Sequence, residues 1–94
     1  MAFVRLALFP GATREHYDRL ARAMSHVPVP TERLLFAAGP VEGGWQVVQV
    51  WTSKAHLDDF NRADFFPALD TLGGSAFPAA PFVTDFEPVD VSLA

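Results

Sequence analysis

The stretch from Gly43 to Ser53 has the clearest alternation of apolar and polar positions in the chain. After its Gly-Gly turn it reads as a β-strand, because successive side chains of a strand point to opposite faces of the sheet. One face would carry Trp45, Val47, Gln49 and Trp51, and the other would carry Gln46, Val48, Val50 and Thr52. Both faces are rich in apolar side chains, so the pattern predicts a strand that is covered on both sides.

Three further apolar runs predict three more strands. They extend from Ala2 to Phe9, from Glu32 to Ala38 and from Phe82 to Val91, and glycine or proline borders each of them. Arg5 is the one charged residue of the first run. It would share a face with Phe3, Ala7 and Phe9, while Val4, Leu6 and Leu8 form an aliphatic face opposite.

Two segments have the spacing of amphipathic helices. Thr13 is expected to cap the first, which would run for about four turns and end at the Val27 to Pro30 stretch. Its apolar stripe consists of Tyr17, Leu20, Ala21 and Met24. Ser53 or Thr52 would cap the second helix, which extends to about Arg62. Asp64 is expected to cap a short continuation.

The predicted element order is β-α-β-β-α-β within a single domain of residues 1–94. Two split βαβ units with right-handed crossovers give an α+β, ferredoxin-like fold: a four-stranded antiparallel sheet with both helices on one face. Strand one would then lie between strands three and four. The uncovered face would expose Leu6, Leu8, Val48 and other aliphatic residues to water, so we expect two sheets to pack face to face in a homodimer.

Composition narrows the function classes. The net charge of −4 and the scattered Lys and Arg residues argue against a nucleic-acid partner. The chain has no cysteine, which excludes disulfides and thiolate sites, and it has no apolar run that is long enough for a membrane span. No signal peptide is recognisable, so a cytoplasmic location is expected. Nine Phe and two Trp are many for 94 residues and favour a pocket or a subunit interface.

The chain resembles a known superfamily in one region. The sequence from Gly44 to Ser53, the helix with Phe60, and the segment Asp64-Phe65-Phe66-Pro67-Ala68-Leu69 carry this resemblance. They are similar to the dimeric α+β barrel superfamily, and in particular to its antibiotic-biosynthesis-monooxygenase-like branch. The resemblance implies a pocket between sheet and helices in each subunit, lined here by Arg5, Trp45, Gln49, Trp51 and Phe60. It further implies a barrel interior that is formed by the dimer.

The chain departs from the catalytic patterns of that superfamily. Where the monooxygenase branch often carries helix histidines, this chain has Phe60 and Phe65. The Asn, Trp and His positions of the haem-degrading branch correspond to Arg5, Phe60 and Asp70, so haem degradation is not expected. The Tyr and His of the polyketide-cyclase branch correspond to Phe60 and Phe66. Each known set therefore lacks its proton-transfer members, and whether the protein is an enzyme stays open.

Arg5 and Gln49 are the leading candidates for chemistry. An unpaired buried arginine is costly, so Arg5 would either bind a ligand anion or pair with Asp85 or Glu87 of the last strand. Gln49, between two tryptophans, could orient a substrate oxygen. Alternatively, its amide could form hydrogen bonds with the backbone or with Arg5. His16 is the histidine proposed for acid–base work, although a surface role is the simpler interpretation. No histidine spacing suggests a metal site.

The sequence therefore predicts a homodimeric small-molecule-binding protein without a cofactor or metal. Its ligand would be aromatic or polyketide-like, with Trp45, Trp51, Phe60, Tyr17 and Phe66 contacting it and Arg5, Gln49 and His16 as candidate catalytic residues. If the protein is an enzyme, the expected activity is that of a cofactor-independent monooxygenase or cyclase. The alternative is a non-catalytic binding or structural dimer.

Overall fold

A computed structural model describes residues 1–93 of the chain. The elements are β1 (Phe3–Pro10), α1 (Arg14–Ala23), β2 (Arg33–Val41), β3 (Gly44–Trp51), α2 (Lys54–Phe60), a π turn (Asn61–Phe65), α3 (Phe66–Leu72), a short 3-10 turn (Gly73–Ser75) and β4 (Phe82–Phe86). The predicted order of strands and helices is confirmed. Among these residues, no helix has both the length and the apolar character that crossing a membrane requires.

The four strands form one sheet in the order β2-β3-β1-β4, and each neighbouring pair is antiparallel. β1 lies between β3 and β4, as predicted, and the fold is ferredoxin-like. Paired residues lie on the same sheet face, so the pairing defines rows across the sheet. One row on the helix-covered face, here called the inner face, runs Phe36, Gln49, Arg5 and Asp85. The central row of the opposite, outer face runs Ala37, Val48, Leu6 and Thr84.

Several element ends differ from the sequence prediction. The β2–β3 hairpin turns at Glu42 and Gly43, because Gly43 adopts a φ of +82° that favours glycine. β2 therefore extends to Val41, beyond the predicted end at Ala38. β4 ends at Phe86, ahead of Pro88, which lacks the N–H of a ladder residue. α1 ends at Ala23 and is about one turn shorter than predicted.

The segment from Lys54 to Leu72 is continuously helical, and the predicted break at Asp64 is wrong. Ser53 caps α2 by accepting a hydrogen bond from the His56 backbone N–H at 3.2 Å. After Phe60 the helix widens into the π turn, where Phe66 N–H donates to the Asn61 carbonyl. Pro67 follows at the second residue of α3, so the N–H that it lacks falls at the junction between the π turn and α3.

Two clusters fix the helices on the inner face. Trp51 and Leu57 are fully buried and pack with Phe3, and Phe60 contacts this cluster from the end of α2. Phe9, Trp45 and neighbouring residues form the second cluster, against which Tyr17 of α1 packs. The space between the two clusters is not filled by side chains.

Candidate functional site

A cavity of about 420 Å³ lies between the inner face of the sheet and the helices. Its floor comes from β1 and β3, and its walls come from α1, the proline-rich segment from Val27 to Pro30, and the π turn. Aromatic rings form much of the surface, among them Phe9, Tyr17, Phe36, Trp45, Phe60 and Phe66. Since a cavity of about 150 Å³ holds one benzene, this inner cavity has room for a molecule of two or three fused rings.

The Arg5 guanidinium is paired within the protein. Its Nε and Nη2 donate to the two carboxylate oxygens of Asp85, each at 2.9 Å. These hydrogen bonds raise the pKa of Arg5 and lower the pKa of Asp85. Of the alternatives left open by the sequence, the structure selects the internal pair and assigns it to Asp85. Arg5 still lines the inner cavity, but its charge is compensated by a bidentate partner.

Gln49 lies between Arg5 and Phe36 in the same row. In the part of the chain that the structure describes, only the oxygen of its side-chain amide takes part in a hydrogen bond. Its Oε1 accepts a hydrogen bond from the Trp51 indole N–H at 2.9 Å. Within residues 1–93, no acceptor is found for its Nε2 group, which leaves two N–H donors at the cavity floor. Trp51 does not line the cavity, contrary to the contact role proposed for it. Its position is that of a buried support for Gln49.

Arg33 is the charged residue that the sequence analysis overlooked. It lines the inner cavity, and its Cζ lies 4.5 Å from the centroid of the Phe36 ring and 5.9 Å from that of Phe60. In the described part of the chain no carboxylate pairs with it. Burial lowers the pKa of Arg33, and the nearby Tyr17 acts weakly in the opposite sense. The cavity therefore contains one compensated and one uncompensated guanidinium.

Tyr17 and Trp45 form an aromatic pair that lines the cavity. Their rings stack with centroids 5.3 Å apart and an interplanar angle of 25°. Trp45 is almost completely buried, and its indole N–H has no acceptor among the residues that the structure describes. A buried donor without an acceptor is costly.

The π turn contributes residues that ordinary helical spacing would separate. Asn61 and Phe66 are five residues apart and both line the inner cavity, as do Phe60 and Phe65. An i→i+5 turn brings such pairs to the same side of a helix, and π turns are frequent at functional sites. Phe66 and Phe60 thus line the cavity as the sequence analysis proposed, and Asn61 adds an amide that it did not consider.

The histidines lie elsewhere. His16 is the third residue of α1, where its Nδ1 accepts the Thr13 backbone N–H at 2.9 Å and so completes the helix cap. His56 is exposed and its Nδ1 lies 2.8 Å from the Ser53 hydroxyl oxygen. Neither residue lines the inner cavity. Apart from Tyr17, the described residues that line it offer no carboxylate, imidazole or other ordinary proton-transfer group.

Comparison with known proteins supports the fold. No family model matches this chain, and no curated protein matches its sequence. The structure of Rv0793 from Mycobacterium tuberculosis is similar over 99% of this chain and 100% of its own, with a TM-score of 0.73 and 13% identity. A protein from Caulobacter crescentus CB15, provisionally named an antibiotic biosynthesis monooxygenase, has a TM-score of 0.70 at 16% identity, with 95% of this chain and 91% of that chain covered.

A third similar structure has a different description. It is described as a dimeric ferredoxin-like protein of unknown function from Thermobifida fusca, with a TM-score of 0.66 and 20% identity over 92% of this chain and 90% of its own. These likenesses confirm the fold that the sequence resemblance implied.

Proposed function

We propose that this protein binds a small, flat, aromatic or polyketide-like molecule in the inner cavity. The observation that carries the proposal is a preformed space of about 420 Å³ that is bordered by aromatic rings and a few polar groups. Small-molecule sites are typically concave and apolar, with a small number of polar groups that fix orientation. The stacked pair of Tyr17 and Trp45 suits a flat ligand, because an aromatic ring can extend the stack.

Oxygenation is the reaction that these groups support best. A phenol and O₂ give a quinone and water, so the substrate supplies the electrons, one oxygen atom enters the ring, and no redox cofactor is needed. The reaction requires the protein to hold and polarise the substrate. Gln49, Asn61 and the arginines can do this. Cyclisation by proton transfer is less well supported, because the lining residues described above include no ordinary acid–base pair.

We further propose that two chains assemble through the outer faces of their sheets. On this face Leu6, Leu8, Val48 and Val50 are only half-buried, and Phe82 and Phe86 remain 70% and 48% exposed. An apolar sheet face of this extent is unusual for a monomer. Dimeric proteins of the same fold support a second copy of the chain as the partner.

Blocking the cavity should remove binding without unfolding the protein. Ala21 lies on α1, is exposed, and borders the cavity. Replacing it with tryptophan places a large ring at the opening, so Ala21→Trp should weaken the binding of 2-naphthol by at least about tenfold, the loss of roughly 1.4 kcal/mol. Isothermal titration calorimetry measures this change in affinity.

The matched control is Ala55→Trp, the same substitution at an exposed helical position that does not border the cavity. Its affinity should equal that of the unsubstituted protein. Decahydro-2-naphthol, which has the same carbon skeleton but is not flat, should bind more weakly than 2-naphthol. Equal loss of binding in both tryptophan variants, or no binding of 2-naphthol to the original protein, contradicts the proposal.

A further inference from the structure

We propose that Arg33 is the residue that recognises the ligand and that the ligand therefore carries an ionised oxygen acid on its aromatic ring system. This inference rests on the proposed function and narrows the ligand class from flat aromatic molecules to anionic ones. It also assigns the recognition to an arginine other than the one that the sequence favours.

The position of Arg33 fits such a role. Phe36 lies under the guanidinium at 4.5 Å and Phe60 borders it at 5.9 Å. An arginine that stacks on a ring keeps its N–H donors in the plane of the guanidinium, where a carboxylate or enolate can accept two of them. The same two rings border the space that the aromatic part of the ligand would fill. The planar guanidinium of Arg33 therefore lies beside the part of the inner cavity that a planar ligand would occupy.

The charge balance of the cavity points the same way. The described residues that line it include two arginines and no aspartate or glutamate. Arg5 is compensated by Asp85, whose carboxylate it binds in a bidentate manner. Among residues 1–93, no acidic group lies within ion-pair distance of Arg33, and its partial burial makes an uncompensated charge unfavourable. An anion that enters the cavity would therefore find its electrostatic partner at Arg33.

The neutral donors would serve the other oxygen atoms of the ligand. The Gln49 amide N–H groups and the Asn61 amide line the cavity, as does Arg33, the first residue of β2. A polyketide-like aromatic molecule carries several oxygens around its rings, of which one is the most acidic. Arg33 would select the acidic oxygen and so fix which way round the molecule binds.

The test uses two flat ligands of nearly the same shape, 2-naphthoate and its neutral amide, 2-naphthamide, with calorimetric titration of each. The unsubstituted protein should bind 2-naphthoate about 10- to 100-fold more tightly than 2-naphthamide, the factor that a charge-assisted hydrogen bond contributes. Arg33→Gln should abolish this preference and leave the affinity for 2-naphthamide unchanged. Arg33→Lys keeps the positive charge but loses the planar guanidinium with its paired N–H donors. It should therefore retain part of the preference for 2-naphthoate.

Arg22→Gln is the matched control, because Arg22 is an exposed arginine that does not border the cavity and its replacement changes the net charge equally. It should keep the full preference for 2-naphthoate. Equal binding of both ligands to the original protein, or a full preference in Arg33→Gln, overturns the role of Arg33 and leaves the proposed function standing. If neither ligand binds the original protein, the proposed function fails and this inference fails with it.

Discussion

Replacing Val48 with lysine is expected to convert the proposed dimer into monomers. Val48 lies in the central row of the outer face, between Ala37 on β2 and Leu6 on β1. In a two-fold symmetric interface the same patch is used by both chains, so each substitution introduces two lysines into one apolar contact. Burying those charges without acidic partners should raise the dissociation constant of the dimer by at least about 100-fold, or roughly 2.8 kcal/mol.

Light scattering after size-exclusion chromatography measures the molar mass directly, and circular dichroism reports whether the monomer keeps its fold. Val89→Lys is the matched control, because Val89 is 99% exposed and lies after the end of β4, outside the sheet. It should remain dimeric. A dimeric Val48→Lys variant would show that the outer face is not the interface, and a monomeric original protein would show that no such dimer forms.

Replacing Trp51 with alanine should cost about 3–5 kcal/mol of the free energy of unfolding, the range for removing a large buried ring. Trp51 is fully buried and packs with Phe3 and Leu57 at the point where α2 meets the sheet. Its loss also removes the N–H that holds the Gln49 amide. Trp51→Phe keeps a ring but not this donor, so it should cost less in stability.

Urea-induced unfolding at one fixed protein concentration measures these differences, because the stability of an oligomer depends on concentration. Val89→Ala serves as the control, since Val89 is 99% exposed and its truncation should change the stability by less than about 0.5 kcal/mol. A cost below about 1 kcal/mol for Trp51→Ala would contradict the packing described for this cluster.

The fold could be predicted from the sequence because the patterns that determine its strands and helices are local and periodic. The alternation in β1 and β3 assigned Arg5 and Gln49 to one face and Leu6 and Val48 to the other, and the strand pairing agrees. The helix starts were also predicted, at Thr13 and at Ser53 or Thr52, and the structure has Thr13 as the N-cap of α1 and Ser53 as that of α2.

The site residues were harder to predict from the sequence because two backbone irregularities shape the site. A register shift between Arg33 and Leu35 interrupts the alternation of β2. Strict alternation would place Arg33 and Phe36 on opposite faces, whereas the bulge brings both to the inner face. The π turn similarly brings Asn61 and Phe66 to one side of the helix. Neither irregularity follows from hydrophobic spacing, so Arg33 and Asn61 were missed.

The acid that pairs with Arg5 could not be assigned from the sequence for a different reason. Arg5 and Asp85 are direct neighbours across β1 and β4, a register that could be set only once the end of β4 was known. A strand that extends to Val91, as predicted, would contain both Asp85 and Glu87, so both acids stayed open as partners of Arg5. With β4 confined to Phe82–Phe86, Asp85 is the acid in the ladder and Glu87 lies beyond it.

A crystal structure with bound 2-naphthoate would show whether the inner cavity holds an acidic aromatic molecule on Arg33. The expected result is a naphthalene ring between the sheet and the helices, with its carboxylate oxygens about 2.8–3.0 Å from the Arg33 guanidinium nitrogens. The pair between Arg5 and Asp85 should remain intact. A carboxylate bound to Arg5 in place of Asp85, or a ligand outside the cavity, would contradict the claim.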